Sequence, residues 1–259
     1  MSVVQFYKYQ AAGNDFILVD NRTGEHAFSS SVISALCHRR FGIGADGLIL
    51  LQQDSMTDFR MVYHNADGSE SFCGNGCRAI VHFANQLGMI GNKAIFMAFD
   101  GRHEAEILQD GNIRISLSDV HAIAQKTPQD FFIHTGTEHH VRFVKNLEEY
   151  PVVEEGRKIR YSADYPRGTN ANFVEILENQ HVAFRIYERG VEDETFSSGS
   201  GATACALVSA QQFGLPSPVI LKARGGYLMV EFQKRQDGTF SSIHFTGPAH
   251  LVFETRLDV

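Results

Sequence analysis

The stretch ESFCGNGCRAIVHFA (residues 70–84) recurs in outline as ETFSSGSGATACALVSA (residues 194–210), with Cys73-Gly74-Asn75-Gly76 falling on Ser198-Gly199-Ser200-Gly201. Each copy is a glycine-rich turn that opens on a small nucleophilic side chain, a thiol in one and a hydroxyl in the other. Each then runs into an apolar segment containing alanine, which predicts a helix start. The two turns are 125 positions apart in a chain of 259 residues. A repeat at close to half the chain length predicts internal duplication.

Outward from these turns the chain reads mostly as strands of period two. VVQFYKY, DFILVD, FRMVYHN, HEAEIL and NIRISL stand in the first half; IHTGTEHHVRFV, ANFVEIL, HVAFRIYE and YLMVEFQ stand in the second. Helical pattern is confined to SSSVISALCHRR, with serines to cap it, and to the two segments after the glycine turns, each of which closes near a Gly. Each half thus holds several antiparallel-looking strands and one helix apolar enough to be buried. The boundary is expected in SDVHAIAQKTPQD, around residue 120. The reading is a duplicated α+β chain with the two related turns meeting at a cleft between its halves.

Composition narrows the function classes. Hydrophobic content of 43% and charged content of 20% are ordinary for a globular protein. No apolar run approaches the ~20 residues of a membrane helix, and the N-terminus lacks the basic and apolar regions of a signal peptide. A net charge of −7 without a basic block argues against nucleic acid and anionic membrane as partners. Cys37, Cys73, Cys77 and Cys205 form no disulfide framework and no paired zinc spacing. A reducing cytoplasm is expected.

Two motifs are set aside. GIGADG (residues 42–47) satisfies G-x-G-x-x-G, but a dinucleotide site needs a strand before it and a helix after it. Here the order is reversed, and a tight turn is expected. His134, His139 and His140 raise a metal question, yet neighbours on a strand point to opposite faces, so His139 and His140 do not both reach one ion. No metal is expected, while one of them facing a polar cleft remains open.

The paired turns are more informative. A helix start presents unsatisfied N–H groups and the positive end of the helix dipole, which bind carboxylate or phosphate and favour a thiolate. Two such starts facing each other would grip one carboxylate and place one nucleophilic side chain on each face of the adjacent carbon. That geometry suits inversion of a stereocentre, one group removing the Cα proton and the other returning one. Two capped helices with incidental cysteine and serine are the alternative.

YQAAGNDFILVD, RRFGIGADGLILL, MVYHNADGSESFCGNGCRAIVHFA, GTNANFVEI and YERGVEDETFSSGSGATA together resemble the diaminopimelate epimerase family, a group of cofactor-independent two-cysteine enzymes, over nearly the whole chain. The resemblance implies two pseudo-symmetric halves, each a curved antiparallel sheet wrapped around a central helix. Residues 1–119 with 250–259 would carry Cys73, and residues 120–249 would carry Ser198, with the site in the cleft between them. It implies a homodimer and no cofactor. It further implies that Cys73 is one of two acid–base groups and that Gly74 and Asn75 form the backbone cradle behind it, with Gly199 and Ser200 as their counterparts. Asn14, Asn65 and Asn170 fall on positions that hydrogen-bond an amino-acid substrate, and Glu188 and Arg189 on the pair that engages it near the reacting carbon. His139 falls on a site histidine.

The chain departs from the family pattern at two places. Ser198 stands where the family carries its second cysteine, and Glu138 and Thr137 stand in the motif that otherwise reads G-S/N-P-H. Cys77 and Cys205 are too far along their helices to replace the missing thiol. A serine hydroxyl is unactivated unless a base takes its proton, so Ser198 is expected to impair exchange. Three readings stay open: LL-to-meso epimerisation of diaminopimelate with an altered second acid–base position, racemisation of another amino acid by a Cys/Ser pair, and a non-catalytic amino-acid-binding relative.

Overall fold

A computed structural model describes residues 3–259 and divides them into two units, one running to Ile115 and including Gly247–Val259, the other Ser116–Thr246. The first unit contains β1 (Val3–Ala11), β2 (Asn14–Asp20), α1 (Ser30–Cys37), β3 (Gly47–Gln52), β4 (Phe59–Asn65), α2 (Gly74–Gln86), β5 (Lys93–Ala98), β6 (Gly101–Ile107) and the start of β7 (Ile113–Leu117). The second contains β8 (Ile123–Gln125), β9 (Asp130–His134), β10 (Glu138–Phe143), α3 (Val152–Arg160), β11 (Asn170–Ile176), β12 (Val182–Glu188), β13 (Asp193–Thr195), α4 (Gly199–Phe213), β14 (Val219–Ala223), β15 (Gly226–Lys234) and β16 (Phe240–Gly247). The last strand, β17 (His250–Asp258), belongs to the first unit, where it lies antiparallel to β1 with Phe6 opposite Thr255.

Pairing within each unit follows one order. In the first, β17–β1 and β1–β2 are antiparallel, β2–β3 parallel, β3–β4 antiparallel, β4–β5 parallel, and β5–β6 and β6–β7 antiparallel. In the second, β8–β9 and β9–β10 are antiparallel, β10–β11 parallel, β11–β12 antiparallel, β12–β14 parallel, and β14–β15 and β15–β16 antiparallel. The two sequences of joints are identical. Each parallel joint is where a helix crosses over, as a parallel connection requires. The strand that begins the second unit's order, β8, directly precedes β9 in the chain. The same place in the first unit is filled by the chain's final strand, so the first copy of the fold closes only when the last residues arrive.

Burial explains why FILV (residues 16–19) and LILL (residues 48–51) are apolar at every position rather than at alternate ones. Phe16, Leu18, Ile49 and Leu51 pack with Cys77, Ile80, Val81 and Ala84 of α2, whereas Ile17, Val19, Leu48 and Leu50 pack with Ile33, Leu36 and Cys37 of α1. A parallel pair covered on both faces needs apolar residues on both, and each fully buried Leu, Ile or Phe contributes roughly 1.5–3 kcal/mol. The helix α3 does the same on the second unit, with Val152, Ile159 and the nearby Leu147 against Ala171, Phe173 and Tyr187. The sequence does not signal α3: its centre is Gly156, and charge dominates VVEEGRKIR. That glycine is required by packing, since a Cβ there would stand 2.3 Å from the Cβ of Tyr187.

The central helices α2 and α4 begin alike. Their N-caps, Cys73 (φ −139°, ψ 106°) and Ser198 (φ −141°, ψ 131°), are both extended, and each side chain accepts a hydrogen bond from the N–H of the second glycine of its turn. That glycine is needed because the helix start presses on its own sheet. A Cβ on Gly76 would meet Met61 Cε at 2.9 Å, and one on Gly201 would meet Asn172 Oδ1 at 2.7 Å.

Candidate active site

At the start of α2, Cys73 is half-buried and its Sγ accepts from Gly76 N–H at 3.4 Å. The thiol lies 3.7 Å from the Asn14 side-chain oxygen, which also accepts from Asn75 Nδ2 at 3.2 Å. The nitrogen of the same Asn14 amide donates to Asp46 Oδ2 at 2.6 Å. Asp46 is joined to Arg39 at 2.7 Å, and Arg39 to Asp15 at 2.8 Å. Asp15 also takes Lys8 at 2.6 Å. Burial works to raise Asp15, but hydrogen bonds from Arg39 and Lys8 outweigh it and hold the carboxyl at about 2. Burial and the neighbouring charge of Asp15 push Asp46 up.

Gly74 and Asn75 are the first two residues of α2 and are buried. Asn65 ends β4, and its amide closes the loop that leads to the helix: Nδ2 donates to Ser69 O and Oγ at 3.2 and 3.0 Å, and Oδ1 accepts from Ser71 Oγ at 3.3 Å. The other three thiols are buried. Burial pushes Cys37 up to about 11 and raises Cys77 and Cys205 well above the ordinary thiol value. Cys73 is therefore the accessible thiol of the chain.

At the start of α4, Ser198 is 8% exposed, and its Oγ lies 3.2 Å from Gly201 N and 3.4 Å from Ser200 Oγ. The hydrogen bonds behind it have a direction that two backbone carbonyls settle. Asn172 Nδ2 faces the carbonyl of His140 at 2.8 Å and must donate there, so at 3.1 Å it also donates to His139 Nδ1. A neutral imidazole that accepts at Nδ1 carries its proton on Nε2, and Nε2 meets Thr137 Oγ1 at 2.8 Å. Asn170 Nδ2, fixed by the carbonyl of Glu138 at 3.0 Å, donates to the same hydroxyl at 3.3 Å. With two donors on its oxygen, Thr137 gives its own proton to Ser200 Oγ at 3.3 Å, and Ser200 Oγ stands 3.4 Å from Ser198 Oγ, a pair in which either hydroxyl can donate. The bond that Ser198 accepts is from the Gly201 N–H. Among the described residues of its unit, no carboxylate or imidazole bonds directly to the Ser198 hydroxyl.

His139 has no exposed surface, and burial, with the charges of His134 and Arg189, pulls it down to about 3. It is a neutral link in the chain of donors, and its route to any ligand runs through Thr137. His140 points the other way, to Asp130 at 2.9 Å and Tyr165 at 2.8 Å. No group of three or more His, Cys, Asp or Glu side chains among the described residues is arranged to hold a metal.

The remaining site residues lie beside this network. Asn170 Oδ1 accepts from the backbone N–H of Arg189 at 2.9 Å. The Arg189 guanidinium reaches Glu138 at 3.4 Å, and Glu138 also holds Arg167 at 2.5 Å. Glu188 accepts the hydroxyl of Thr195. The structure thus gathers Asn14, Cys73, Gly74 and Asn75 at one helix start, with Asn65 bracing its loop, and His139, Asn170, Ser198, Gly199 and Ser200 at the other, with Glu188 and Arg189 close by.

Strand register reveals an equivalence that the sequence reading missed. Phe16 pairs with Gly47 as His139 pairs with Asn170, so Thr137 takes the place of Asn14 and Glu138 that of Asp15. The signal was present as G-N-D against G-T-E, each led by a glycine in the left-handed region, Gly13 at φ 84° and Gly136 at φ 87°. Asp15 grips an arginine, and so does Glu138. Asp46, inside the discarded GIGADG, was missed as well; only the fold carries it to Asn14.

The profile of the diaminopimelate epimerase family matches residues 6–122 and 131–252. The chain is 45% identical to the diaminopimelate epimerase of Flavobacterium psychrophilum over 98% of this chain and 100% of that one, and 40% identical to that of Chlorobaculum tepidum over 93% and 96%. Among solved structures, a PhzF-family phenazine biosynthesis protein of Bacillus anthracis aligns over 100% of both chains with a TM-score of 0.78 at 14% identity. A hydroxyproline epimerase of Agrobacterium vitis aligns over 98% of this chain and 92% of that one with a TM-score of 0.68 at 15% identity. At such identities these two show the fold alone. The full-length match to the profile and to the curated relatives places this chain in the diaminopimelate epimerase family.

Proposed function

We propose that the protein interconverts LL- and meso-2,6-diaminopimelate without a cofactor, by exchange of a Cα proton between Cys73 on one face of the carbon and Ser198 on the other. The carrying observation is that Cys73 and Ser198 occupy the same N-cap position in two units of identical strand order, each receiving a glycine N–H. The N–H groups at Gly74 and Asn75, and at Gly199 and Ser200, bind the substrate carboxylate, with Arg189 and Glu188 at its rim. Cys73 removes the proton through the fraction of it that is thiolate and returns one from its thiol form. Ser198 donates a proton but is a poor base, which slows inversion in both directions because the two stereoisomers are nearly equal in energy. The test is NMR of each diaminopimelate stereoisomer with the protein in D₂O. Exchange from one isomer with slow net inversion is the expected result; equal exchange from both, or binding without exchange, overturns the reading. Exchange with a different amino acid only would assign a racemase of that substrate.

The protein acts as a homodimer in this reading, through β17. Leu251, Val252, Phe253 and Leu257 on that strand are 40, 56, 45 and 38% exposed, an apolar edge of the kind that recruits a second strand. Light scattering should give twice the monomer mass, and Val252→Lys should return it to one. No helix among the described residues is long and apolar enough to cross a membrane.

A further inference from the structure

The GIGADG turn binds no nucleotide by the order of its elements, yet its acidic residue is tied to the site. Asp46 has a side-chain oxygen on Asn14 Nδ2 at 2.6 Å and the same oxygen on the backbone N–H of Asp15 at 3.1 Å, with Arg39 on the other oxygen at 2.7 Å. A carboxylate with these partners only accepts, so the amide group facing it must be the NH₂ of Asn14. The amide oxygen is then turned toward Cys73 Sγ, at 3.7 Å. An oxygen beside a thiol accepts from S–H and disfavours the thiolate, whereas an NH₂ in the same place would favour the thiolate.

We propose that Asp46 is a positioning residue that locks the Asn14 amide with its oxygen on Cys73 and so holds the proton on that sulfur. Asp46 does not touch the reacting atoms; it acts through Asn14. Asn75 Nδ2, 3.2 Å from the same oxygen, supports this orientation from α2. Cys77 and Arg78 of the same helix are coupled to the Cys73 charge and the Gly76 N–H donates to its sulfur, and the variants below leave all three in place. The inference rests on the epimerase reading only in naming Cys73 an acid–base group.

The experiment is alkylation of the folded chain by iodoacetamide across a pH series, followed by mass spectrometry of the Cys73 peptide; the other three cysteines are buried. Asp46→Ala frees the Asn14 amide to turn, and the Cys73 alkylation midpoint should fall, so that alkylation well below the parent midpoint becomes about three- to tenfold faster as the thiolate fraction rises. Asp46→Asn keeps an oxygen for Asn14 while removing the charge, and should retain the parent midpoint. Should Asp46→Ala not fold, Asp46→Ser, too short to reach Asn14, should show the same shift. An unchanged midpoint in Asp46→Ala or Asp46→Ser overturns the proposal, and so does an equal fall in Asp46→Asn, which would leave a charge effect alone. A shifted midpoint in a chain that exchanges no Cα proton would instead sink the functional reading and leave this one standing.

Discussion

At the start of α2 the cap is a thiol facing an amide oxygen that is anchored through Asp46, Arg39 and Asp15. At the start of α4 the cap is a hydroxyl that accepts from Gly201 N–H and stands beside Ser200, to which donors lead through Thr137 and His139. Backbone geometry and the glycine N–H on each cap are shared; the side chains behind the caps differ. The first network sets an acceptor beside the S–H of its cap, and the second leads a run of donors to the Ser200 hydroxyl beside its cap. A cysteine at the α4 cap would sit among donors that favour its thiolate, whereas Ser198, with its much higher pKa, stays protonated in the same surroundings.

The largest expected effect comes from removing the thiol. Cys73→Ala should cut Cα-proton exchange by ~10²–10⁴-fold, read by NMR in D₂O, with the melting temperature near that of the parent because the side chain is only half-buried. Undiminished exchange would mean that the caps are not the acid–base pair.

Next comes the other cap. Ser198→Cys should raise net epimerisation by about two orders of magnitude or more with KM nearly unchanged, the pattern of a group acting in the transition state. The introduced thiol should also alkylate at lower pH than Cys73, because donors face it while an acceptor faces Cys73. Matching midpoints would remove the polarity contrast even if activity rose.

A smaller effect probes His139. Its ring is neutral in the fold, pulled from an ordinary 6.5 to about 3 by burial and by the charges of His134 and Arg189. The unfolded chain binds a proton below pH 6.5 that the folded chain refuses, so stability falls as pH drops from about 6.5 toward 3, by up to about 1.4 kcal/mol per pH unit. His139→Gln keeps a donor for Thr137 without the titrating ring. Urea unfolding between pH 7 and 4.5 should show a shallower loss than in the parent, and an equal loss would locate the acid sensitivity elsewhere.

The smallest effect lies at the rim. Glu138→Gln weakens ion pairs to Arg167, whose side chain is 83% exposed, and to Arg189, at 35%. Solvent-screened pairs of this kind are worth about 0–1 kcal/mol. The melting temperature should hardly move, while KM for diaminopimelate should rise a few-fold as Arg189 loses its anchor. A loss confined to stability would separate Glu138 from substrate binding.

Much of this organisation could be read from residues in order. A glycine turn that opens on a small nucleophilic side chain is a local pattern, and its recurrence half a chain later exposed the duplication and both caps. Most of the longer strands and three of the four α-helices follow from periodicity, whereas β5, β8, β13, β14 and β16 were not read, and IHTGTEHHVRFV, read as one strand, is two, β9 and β10, joined by a turn at Gly136. The exception, α3, failed because Gly156 and a run of charge hide a helix whose apolar stripe is only Val152, Ile159 and their neighbours, and whose glycine answers to Tyr187 on another element.

Sequence by itself determined the two caps, the family and the departure at Ser198, since each depends on residue identity at short spacing. Tertiary structure decided the partners. Asp46 meets Asn14 because a parallel joint lays β3 beside β2, and Thr137 stands in for Asn14 because β10 and β11 repeat that joint. His139 became a buried, neutral donor when Asn172 came up beside it on the neighbouring strand. Hydrogen-bond direction depends on which atom faces which across strands far apart in the chain. It appears only when the sheet brings those atoms within about 3 Å.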